Sequence, residues 1–574
     1  MNSPTSSPIR VRSGIVLLCV FLLAGFTGLG ARVFDLQFQR NRVYDQASRT
    51  QRYAVVRQSP QRGLITDQKG RVLAASSMIY NVFAEPRRLL QNEQYKLTAE
   101  ILQSILDVPG CEISKRILEA NNPGFLRLEK DITPAQQQAI LQARLNGIGI
   151  EEAWKRSYPT GALCSHVVGF VGNEGRGLAG IELKYDSVLA GKGGQDTYVV
   201  DVFRRPLAAY PEGRNPLQNG DNLVLTIDSV IQEIVREALL KQIKDYQAES
   251  GTALVMDPWT GAIWAWVSLP DFEPSHFSKA TASQLKNRIL SDPYEPGSIF
   301  KPIIAAIALD SGAIRKEEKF DCEDGYWGKY GGIHEFGNHR FGLLTVREII
   351  LNSSNIGMAK IGLKTGPKTL YDGLRLFGFG QPTGVDLAGE ESGILRPIQK
   401  WSGYSPTRIA FGHEISVTSL QMARAYCILA NGGTLIQPHL VRAIVNPEGQ
   451  ITDVTPSLVG AGYVIHPEIA RWIVRQAMRA VVTEGTGDQA AIEGVEVFGK
   501  TGTANIALPT GGYDTSNYIA SFIGGAPADN PKVIILVSIR KPNRALGKGY
   551  SGGRVAAPVF KEILQKTLAY LDDR

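Results

Sequence analysis

One stretch in the middle of the chain organises the rest, namely Tyr294-Glu295-Pro296-Gly297-Ser298-Ile299-Phe300-Lys301-Pro302, followed by the apolar run Ile303-Ile304-Ala305-Ala306-Ile307-Ala308-Leu309. Pro296 and Gly297 disfavour a helix interior, so the sequence predicts a helix that begins near Ser298. Pro302 has no amide hydrogen and is tolerated best in the first turn, which supports that start. Residues three apart share a helix face, so Ser298 and Lys301 are predicted neighbours.

This pair can carry out nucleophilic chemistry if its surroundings permit. A serine hydroxyl is a weak nucleophile until a base stands beside it. Lys301 can be that base only if burial or nearby positive charge lowers its pKa. The helix N-terminus would also direct free backbone amides at an oxyanion formed on Ser298. The simpler alternative is a helix start with a solvated lysine, because Ser-x-x-Lys is common by chance.

Two later segments favour the chemical interpretation. The first is Asn352-Ser353-Ser354-Asn355-Ile356-Gly357-Met358 and the second is Phe498-Gly499-Lys500-Thr501-Gly502-Thr503-Ala504. With the first stretch they form the ordered triplet Ser-x-x-Lys, Ser-x-Asn, Lys-Thr-Gly, which is typical of penicillin-binding proteins and serine β-lactamases. Through these motifs the chain resembles the class B penicillin-binding proteins, which are monofunctional peptidoglycan D,D-transpeptidases.

The second motif is polar and follows a helix-like run at 345–351, so we expect a loop between helices. Ser353 can relay a proton between the lysine base and a leaving amine. The amide of Asn355 can both accept and donate hydrogen bonds toward a substrate peptide. In isolation, a polar loop with local turns would explain these residues equally well.

The third motif contains a competing pattern, because residues 494–501 fit the P-loop sequence G-x-x-x-x-G-K-[ST]. A P-loop enters a helix, whereas Val, Glu, Val and Phe at 495–498 alternate like a strand, and Gly502, Pro509 and two further glycines follow. We therefore predict an edge strand that lines a cleft. Lys500 would help keep the site lysine neutral and attract a carboxylate. Gly502 would let a substrate backbone approach closely.

The resemblance implies the rest of the mechanism. Ser298 attacks the penultimate D-alanine of a peptidoglycan stem peptide and releases the terminal D-alanine. An amine of a neighbouring stem then takes the acyl group and forms a crosslink. The backbone amides of Ser298 and Thr503 form the oxyanion hole, Thr501, Gly502 and Thr503 bind substrate, and β-lactam antibiotics acylate the same serine.

Composition sets outer limits on these inferences. The chain has 574 residues, which predicts two to four domains. Its hydrophobic fraction of 43% and charged fraction of 20% are ordinary for a globular protein. The net charge of +7 is mild and the basic residues are scattered. We therefore predict no nucleic-acid partner and only a weak preference for anionic surfaces.

The N-terminus predicts a membrane anchor. Arg10 and Arg12 precede an uncharged run from Ser13 to Ala31, and about 18 apolar residues suffice to cross a bilayer. Basic residues before a span favour a cytoplasmic N-terminus, so we predict a tail at 1–12, a transmembrane helix at 13–31 and the bulk of the chain outside the cytoplasmic membrane of a bacterium. The alternative is a cleaved signal peptide with small residues at Gly28 and Gly30. The resemblance favours the uncleaved anchor.

Two domains are predicted beyond the anchor. Residues 32–217 resemble the elongated N-terminal pedestal domain, of the dimerisation type, and the turn-rich linker 211–220 precedes a transpeptidase domain at 218–574. Residues 62–74 predict strand, turn, strand and resemble a family motif whose Arg-Gly pair and Asp help dock the two domains. Gln68 stands where that motif more often has arginine.

The transpeptidase segment predicts an α+β fold. A strand at 223–227, a helix at 229–242 capped by Asp228 and a hairpin at 251–267 begin it. Strands at 518–525 and 532–539 and a helix at 557–571 end it. Strands at both ends with helices between them suggest one central antiparallel sheet with helices on both sides, as the penicillin-recognising fold also implies.

Neither a metal nor another cofactor is predicted. His334 and His339 lie in a loop-like segment without an evident third ligand. The five cysteines, at 19, 111, 164, 322 and 427, show no Cys-x-x-Cys spacing. Their positions do not decide whether Cys111 and Cys164 pair.

Several functional alternatives stay open at this stage. The Glu295-Pro296-Gly297-Ser298 sequence resembles the cell-division (FtsI-type) and sporulation branch more than the elongation branch. That resemblance implies lipid-linked precursor, a polymerase, and division or elongation proteins as partners. A D-alanyl-D-alanine carboxypeptidase would use the same residues with water as acceptor. A β-lactamase would need a further carboxylate, and a non-catalytic scaffold or β-lactam sensor would use the domain for binding only.

Overall fold

A computed structural model describes residues 8–39, 52–201, 206–209, 214–456, 462–508 and 511–573. Positions 1–7 of the predicted tail, 211–213 of the predicted linker, and Pro509 lie outside these residues. The chain divides into two compact units, Met1–Pro60 with Lys192–Asn219, and Gln61–Gly191 with Gly220–Arg574. The boundary between residues 217 and 218 stays a prediction.

The smaller unit begins with the helix Pro8–Phe34, which contains the predicted span at 13–31. The segment Arg12–Phe38 is long and apolar enough to cross a membrane. Its large apolar side chains, such as Phe21 at 80% exposure, find no cover within the described protein. The helix therefore fits a single-pass membrane anchor.

The smaller unit also contains a three-stranded antiparallel sheet. The central strand, Gly194–Val200, pairs with Tyr53–Gln58 on one side and with Pro206–Ala209 on the other.

The larger unit contains a seven-stranded sheet that joins early and late parts of the sequence. Ile65–Thr66 pairs antiparallel with Val72–Ala84, which confirms the predicted strand, turn, strand. Ile65–Thr66 also pairs, in parallel, with Asn222–Leu225. The Asp67 carboxylate in the turn accepts a 2.7 Å hydrogen bond from the Ser229 hydroxyl. The other strands of this sheet are Leu126–Glu129, Ile148–Ser157, Val441–Val445 and Ile451–Asp453.

Short helices accompany this sheet. Thr133 caps one of them with a reciprocal capping box to Gln136, and Pro134 follows in the first turn. These helices are Pro86–Gln91, Tyr95–Leu106, Gly110–Leu118, Pro134–Ala143, Ser165–Val168, Gly180–Lys184 and Asp186–Leu189.

A five-stranded antiparallel sheet forms the centre of the larger unit. Its strands lie in the order Ile263–Leu269, Ser250–Met256, Val533–Arg540, Tyr513–Ala526 and Phe498–Ala507. The predicted hairpin and both C-terminal strands are present, and Phe498–Ala507 is an edge strand, as the third motif predicts. Two small hairpins pair Lys319–Asp321 with Leu343–Thr345 and Tyr326–Trp327 with Ile333–His334.

Both faces of the central sheet are covered, because successive residues of a strand point to opposite faces. Leu254 and Met256 belong to a core cluster that includes Tyr426 and the helix after Ser298. Ala253 and Val255 belong to a second cluster with Phe560. The α+β fold with helices on both sides of an antiparallel sheet is confirmed.

The helices after residue 220 follow the predicted order. Asp228 caps the first with its side chain. These helices are Ser229–Asp245, Ala282–Leu285, Arg288–Ser291, Lys301–Asp310, Val346–Leu351, Asn355–Thr365, Pro367–Leu376, Ser405–Ile409, Ser419–Ala430, Pro467–Trp472, Arg479–Thr483, Gly552–Val555 and Ala557–Asp572.

Candidate active site

Ser298 lies in a short 3-10 turn, Gly297–Phe300, that leads directly into the helix Lys301–Asp310. Gly297 has a φ of +56°, a conformation that favours glycine. Pro302 occupies the first helical turn, where its missing amide hydrogen costs least. The helix start predicted near Ser298 is therefore confirmed, with the first turn tightened to 3-10 geometry.

Lys301 is fully buried, because the helix that carries it is covered on all sides from Lys301 to Leu309. Its Nζ lies 2.5 Å from the carbonyl oxygen of Ser353, 2.8 Å from Oδ1 of Asn355 and 3.2 Å from Oγ of Ser353. All three acceptors are neutral. The first two motifs thus meet at one buried amine.

Lys500 is also fully buried, on the edge strand Phe498–Ala507. Its Nζ lies 3.0 Å from Oγ of Ser353 and 3.1 Å from the carbonyl oxygen of Thr501. The Ser353 hydroxyl therefore contacts the amines of two lysines from different motifs. Ser353 has a φ of +59°, which is uncommon for a residue other than glycine and is found often at functional sites.

Burial sets the protonation of both lysines. Removal from water lowers the pKa of Lys301 to about 7, although the negative charge of Glu335 raises it in part. Burial lowers the pKa of Lys500 well below its ordinary range, and the charge of Lys301 acts in the same direction. A neutral Lys301 has two N–H groups, for Ser353 and Asn355, and one lone pair that can take a proton.

The second motif is held by the start of the helix Asn355–Thr365. Ser354 is its N-cap, and its hydroxyl accepts a 2.9 Å hydrogen bond from the Gly357 amide. The predicted loop between helices is thus only three residues long, and Asn355 already belongs to the second helix. Nδ2 of Asn355 donates to the carbonyl oxygen of His334 at 3.0 Å. In this structure Asn355 therefore contacts the lysine base and a neighbouring loop.

A cleft of about 770 Å³ opens above these groups. Ser298, Ser353 and Asn355 line it, and so do Thr501 and Thr503 of the edge strand. The remaining lining side chains include one carboxylate, that of Glu335, among the described residues. An extended peptide fits such a cleft, because an edge strand offers unpaired backbone groups.

The edge strand packs tightly against the serine-bearing turn. A Cβ atom on Gly502 would lie 2.9 Å from Cγ2 of Ile299, so a glycine is required for this contact. The carbonyl of Ile299 accepts a 2.7 Å hydrogen bond from the buried hydroxyl of Tyr426, which fixes the turn from the opposite side. Gly502 thus faces the turn, and its part in admitting a substrate backbone stays a prediction.

Other predicted features have clear outcomes in the structure. The P-loop alternative is wrong, because Phe498–Ala507 is a strand where a P-loop would enter a helix. His334 stacks on Tyr326 and His339 on Phe341, and the described residues contain no group of three potential metal ligands. Cys111 and Cys164 are free thiols, as are the other three cysteines.

Several residues of the site carry no signal in the sequence. Glu335 contacts the second motif from 20 positions earlier in the chain, and Thr486 donates or accepts a 2.8 Å hydrogen bond with Thr501. The Gly552 amide donates to the Thr503 hydroxyl at 3.1 Å. Each contact joins segments that are separated in the sequence, so no local sequence pattern predicts it.

The class of the protein follows from this geometry. Ser298 lines a cleft beside an edge strand, the nearby amine of Lys301 is buried and has a lowered pKa, and the Ser353 hydroxyl lies between two amines. The protein has a serine enzyme fold for acyl transfer. The family comparisons narrow this class. Residues 251–565 match the penicillin binding protein transpeptidase domain, and residues 57–225 match the penicillin-binding protein dimerisation domain. The chain belongs to the penicillin-binding protein transpeptidase family, as its motifs predict.

Individual relatives agree with this assignment. The chain is 32% identical over 578 residues to the probable peptidoglycan D,D-transpeptidase PenA of Neisseria meningitidis, covering 100% of this chain and 94% of that protein. It is 32% identical to the peptidoglycan D,D-transpeptidase FtsI of Escherichia coli, covering 96% and 90%. Its fold is similar to the crystal structure of penicillin-binding protein 3 of Mycobacterium tuberculosis complexed with aztreonam, with a TM-score of 0.69, 28% identity, and coverage of 90% and 97%.

Proposed function

We propose that this chain is a peptidoglycan D,D-transpeptidase in which Ser298 is the nucleophile and Lys301 its general base. One observation carries the proposal: the Ser353 hydroxyl lies 3.2 Å from Nζ of Lys301 and 3.0 Å from Nζ of Lys500, and both lysines are fully buried. This arrangement supplies an amine that is partly neutral near pH 7 and a hydroxyl through which its proton can move.

The acylation half of the reaction begins when Oγ of Ser298 bonds to the carbonyl carbon of the penultimate D-alanine. The proton of the Ser298 hydroxyl passes to Nζ of Lys301. The bond to the terminal D-alanine then breaks, and the leaving amine takes a proton from Lys301 through the Ser353 hydroxyl. The acyl group remains on Ser298 as an ester. We assign the oxyanion to the backbone amides of Ser298 and Thr503, by resemblance to the family.

The second half reverses these roles. The amine of a neighbouring stem peptide attacks the ester and gives up a proton to Lys301. The ester bond then breaks, the crosslink is complete, and Ser298 regains its proton from Lys301. Thr501 and Thr503 line one side of the cleft and are suited to binding the carboxylate and backbone of the donor stem.

A β-lactamase is less well supported, because that activity requires a carboxylate that activates water. Among the described residues that line the cleft, Glu335 is the one carboxylate. Its oxygens already accept hydrogen bonds from the Ser354 hydroxyl and the amides of Asn355 and Ile356. The acyl-enzyme is therefore expected to be long-lived with β-lactams.

The cellular setting is also part of the proposal. The resemblance to FtsI supports a role in septal wall synthesis, with lipid-linked precursor, a polymerase and division proteins as partners. The arginines before the apolar helix support a cytoplasmic N-terminus and a catalytic domain outside the cytoplasmic membrane. Sporulation or elongation complexes are the competing settings.

A fluorescent penicillin tests the chemistry on the full chain in detergent. We expect a covalent label that persists for hours and is abolished in Ser298→Ala. Ser311→Ala is the matched control, because Ser311 lies just beyond the same helix and bonds only the Ala308 carbonyl through its hydroxyl; this variant is expected to label normally. Rapid loss of label would indicate a β-lactamase, and absence of label a scaffold.

Labelling does not separate a transpeptidase from a carboxypeptidase. The separating measurement is the product formed from lipid-linked peptidoglycan precursor with a polymerase present. Crosslinked dimers of stem peptides support the proposal. Release of D-alanine without dimers would contradict it.

A further inference from the structure

We propose that Glu335 is a positioning residue for the acylation of Ser298, acting through Asn355 on Lys301. This inference rests on the proposed function, since it concerns the base of that reaction. Glu335 is 5% exposed and lies directly after the short strand Ile333–His334. The sequence analysis considered the histidines of this segment as metal ligands and assigned no role to Glu335.

The carboxylate of Glu335 binds the N-terminus of the helix Asn355–Thr365. Oε2 accepts a 2.6 Å hydrogen bond from the Asn355 amide, and Oε1 accepts bonds from the Ser354 hydroxyl at 2.5 Å and the Ile356 amide at 3.3 Å. Three donors on two oxygens suit the ionised carboxylate.

This contact fixes which way the Asn355 side chain points. The backbone amide of Asn355 is held by Glu335, and its Nδ2 donates to the carbonyl of His334, the preceding residue. The side-chain oxygen is then the atom left to face Lys301, at 2.8 Å from Nζ. Residues 334 and 335 thus hold both ends of Asn355 and direct an acceptor at the base.

The charge of Glu335 has a second effect on Lys301. The charged or titratable groups around that amine are Glu335, Lys500 and His413. Burial lowers the pKa of His413 to about 4, so His413 is neutral near pH 7. Burial lowers the pKa of Lys500 well below its ordinary range, whereas the negative charge of Glu335 favours the protonated form of Lys301. Glu335 therefore keeps the pKa of the base from falling further, which preserves its strength as a proton acceptor.

The test measures the rate of acylation by a fluorescent penicillin as a function of pH. The neutral amine is the active form, so the rate of the wild-type protein rises as pH passes through the pKa of Lys301. In Glu335→Gln the negative charge is lost, and we expect the rising limb to move to lower pH by about one unit. We also expect the plateau rate to fall by about tenfold, because one oxygen that accepted an N–H becomes a donor.

Glu390→Gln is a matched control. The carboxylate of Glu390 accepts hydrogen bonds from the Thr383 hydroxyl at 2.6 Å and from two successive amides, those of Thr383 at 2.7 Å and Gly384 at 3.1 Å. Glu390 thus accepts the same kinds of hydrogen bond as Glu335, one from a hydroxyl and two from successive amides, but its donors do not line the cleft. This variant is expected to lose similar thermal stability while its pH profile and plateau stay at wild-type values.

Glu335→Asp separates geometry from charge and keeps the proposal testable if the glutamine variant fails to fold. The shorter side chain retains the charge, so the rising limb stays in place while the plateau falls. The proposal is overturned if the rising limb of the pH profile keeps its wild-type position in Glu335→Gln. It is also overturned if that limb moves in Glu335→Asp, or if it moves equally far in Glu390→Gln. Labelling of the wild-type protein at Ser298 is scored separately and reports on the proposed function itself.

Discussion

The larger unit buries several basic side chains, and two groups of them differ in the partners that they contact. Between residues 61 and 191, the buried Glu182 carboxylate accepts from Arg62 at 2.6 Å and from Arg156 at 2.7 Å. At the cleft, Lys301 and Lys500 are buried completely, and their amines contact only neutral oxygens within hydrogen-bond distance among the described residues.

The difference teaches how burial serves stability in one place and chemistry in the other. Arginine keeps its proton even when buried, and Arg62 and Arg156 are stabilised by the carboxylate that they share. Lysine can lose its proton, and a site without a carboxylate in contact favours that loss. The first arrangement holds a structure together, whereas the second keeps a base available near pH 7.

The largest expected effect comes from Lys301→Met, which removes the amine and keeps an apolar side chain of similar length. Acylation by penicillin should fall by about 10³–10⁴-fold, since the base for Ser298 is lost. The melting temperature should stay equal or rise, because an apolar residue replaces a desolvated amine. Stopped-flow acylation and thermal unfolding measure the two quantities. A large loss of stability would mean that the lysine is structural.

Glu182→Gln is the converse experiment. It leaves the buried Arg156 with a neutral partner, while Arg62 keeps its 2.7 Å ion pair with Asp186. The free energy of unfolding should therefore fall by about 3–5 kcal/mol. Acylation per folded molecule should stay at the wild-type rate. The control is Asp572→Asn, which breaks the exposed ion pair with Lys532 and should cost about 0–1 kcal/mol. If both variants lost the same free energy of unfolding, the buried ion pairs of Glu182 would be no more stabilising than an exposed one.

The smallest effect is in the pH dependence of stability. The pKa of Lys301 is lowered from 10.5 in the unfolded chain to about 7 in the folded protein. Between these values the unfolded state binds more protons, so this residue makes stability rise with pH and costs most below pH 7. Lys301→Met should therefore gain most stability relative to wild type below pH 7, and the difference should decrease between pH 7 and 10.5 to a constant value. Denaturant unfolding at several pH values checks this. A constant difference would contradict the lowered pKa.

Local patterns predicted much of this molecule. Pro296, Gly297 and Pro302 predicted where the nucleophile helix begins, and the alternation at 495–498 predicted a strand where the P-loop pattern matched by letters. Asp228 predicted the cap of the helix Ser229–Asp245. Each prediction depends on the conformational preferences of a few adjacent residues, which the rest of the fold did not override.

Contacts between distant segments were not predictable in the same way. No sequence motif adjacent to Glu335 indicates a role for it, and only folding brings its carboxylate to the amide of Asn355. The fit of Gly502 against Ile299 likewise depends on the packing of the edge strand. The apolar run that follows Lys301 indicates a buried helix, but only the fold shows that the amine of Lys301 is itself removed from water, which lowers its pKa.

The sequence by itself determined the three motifs, their order, the anchor helix and the family, because these depend on residue identity and short-range preference. Only the tertiary structure decided that Ser353 lies between two buried amines, that Glu335 holds Asn355, and that the base contacts no carboxylate in the described part of the chain. Those features depend on removal from water and on atoms brought within 3 Å from segments far apart in the chain. Burial and distance of that kind are properties of the folded protein alone.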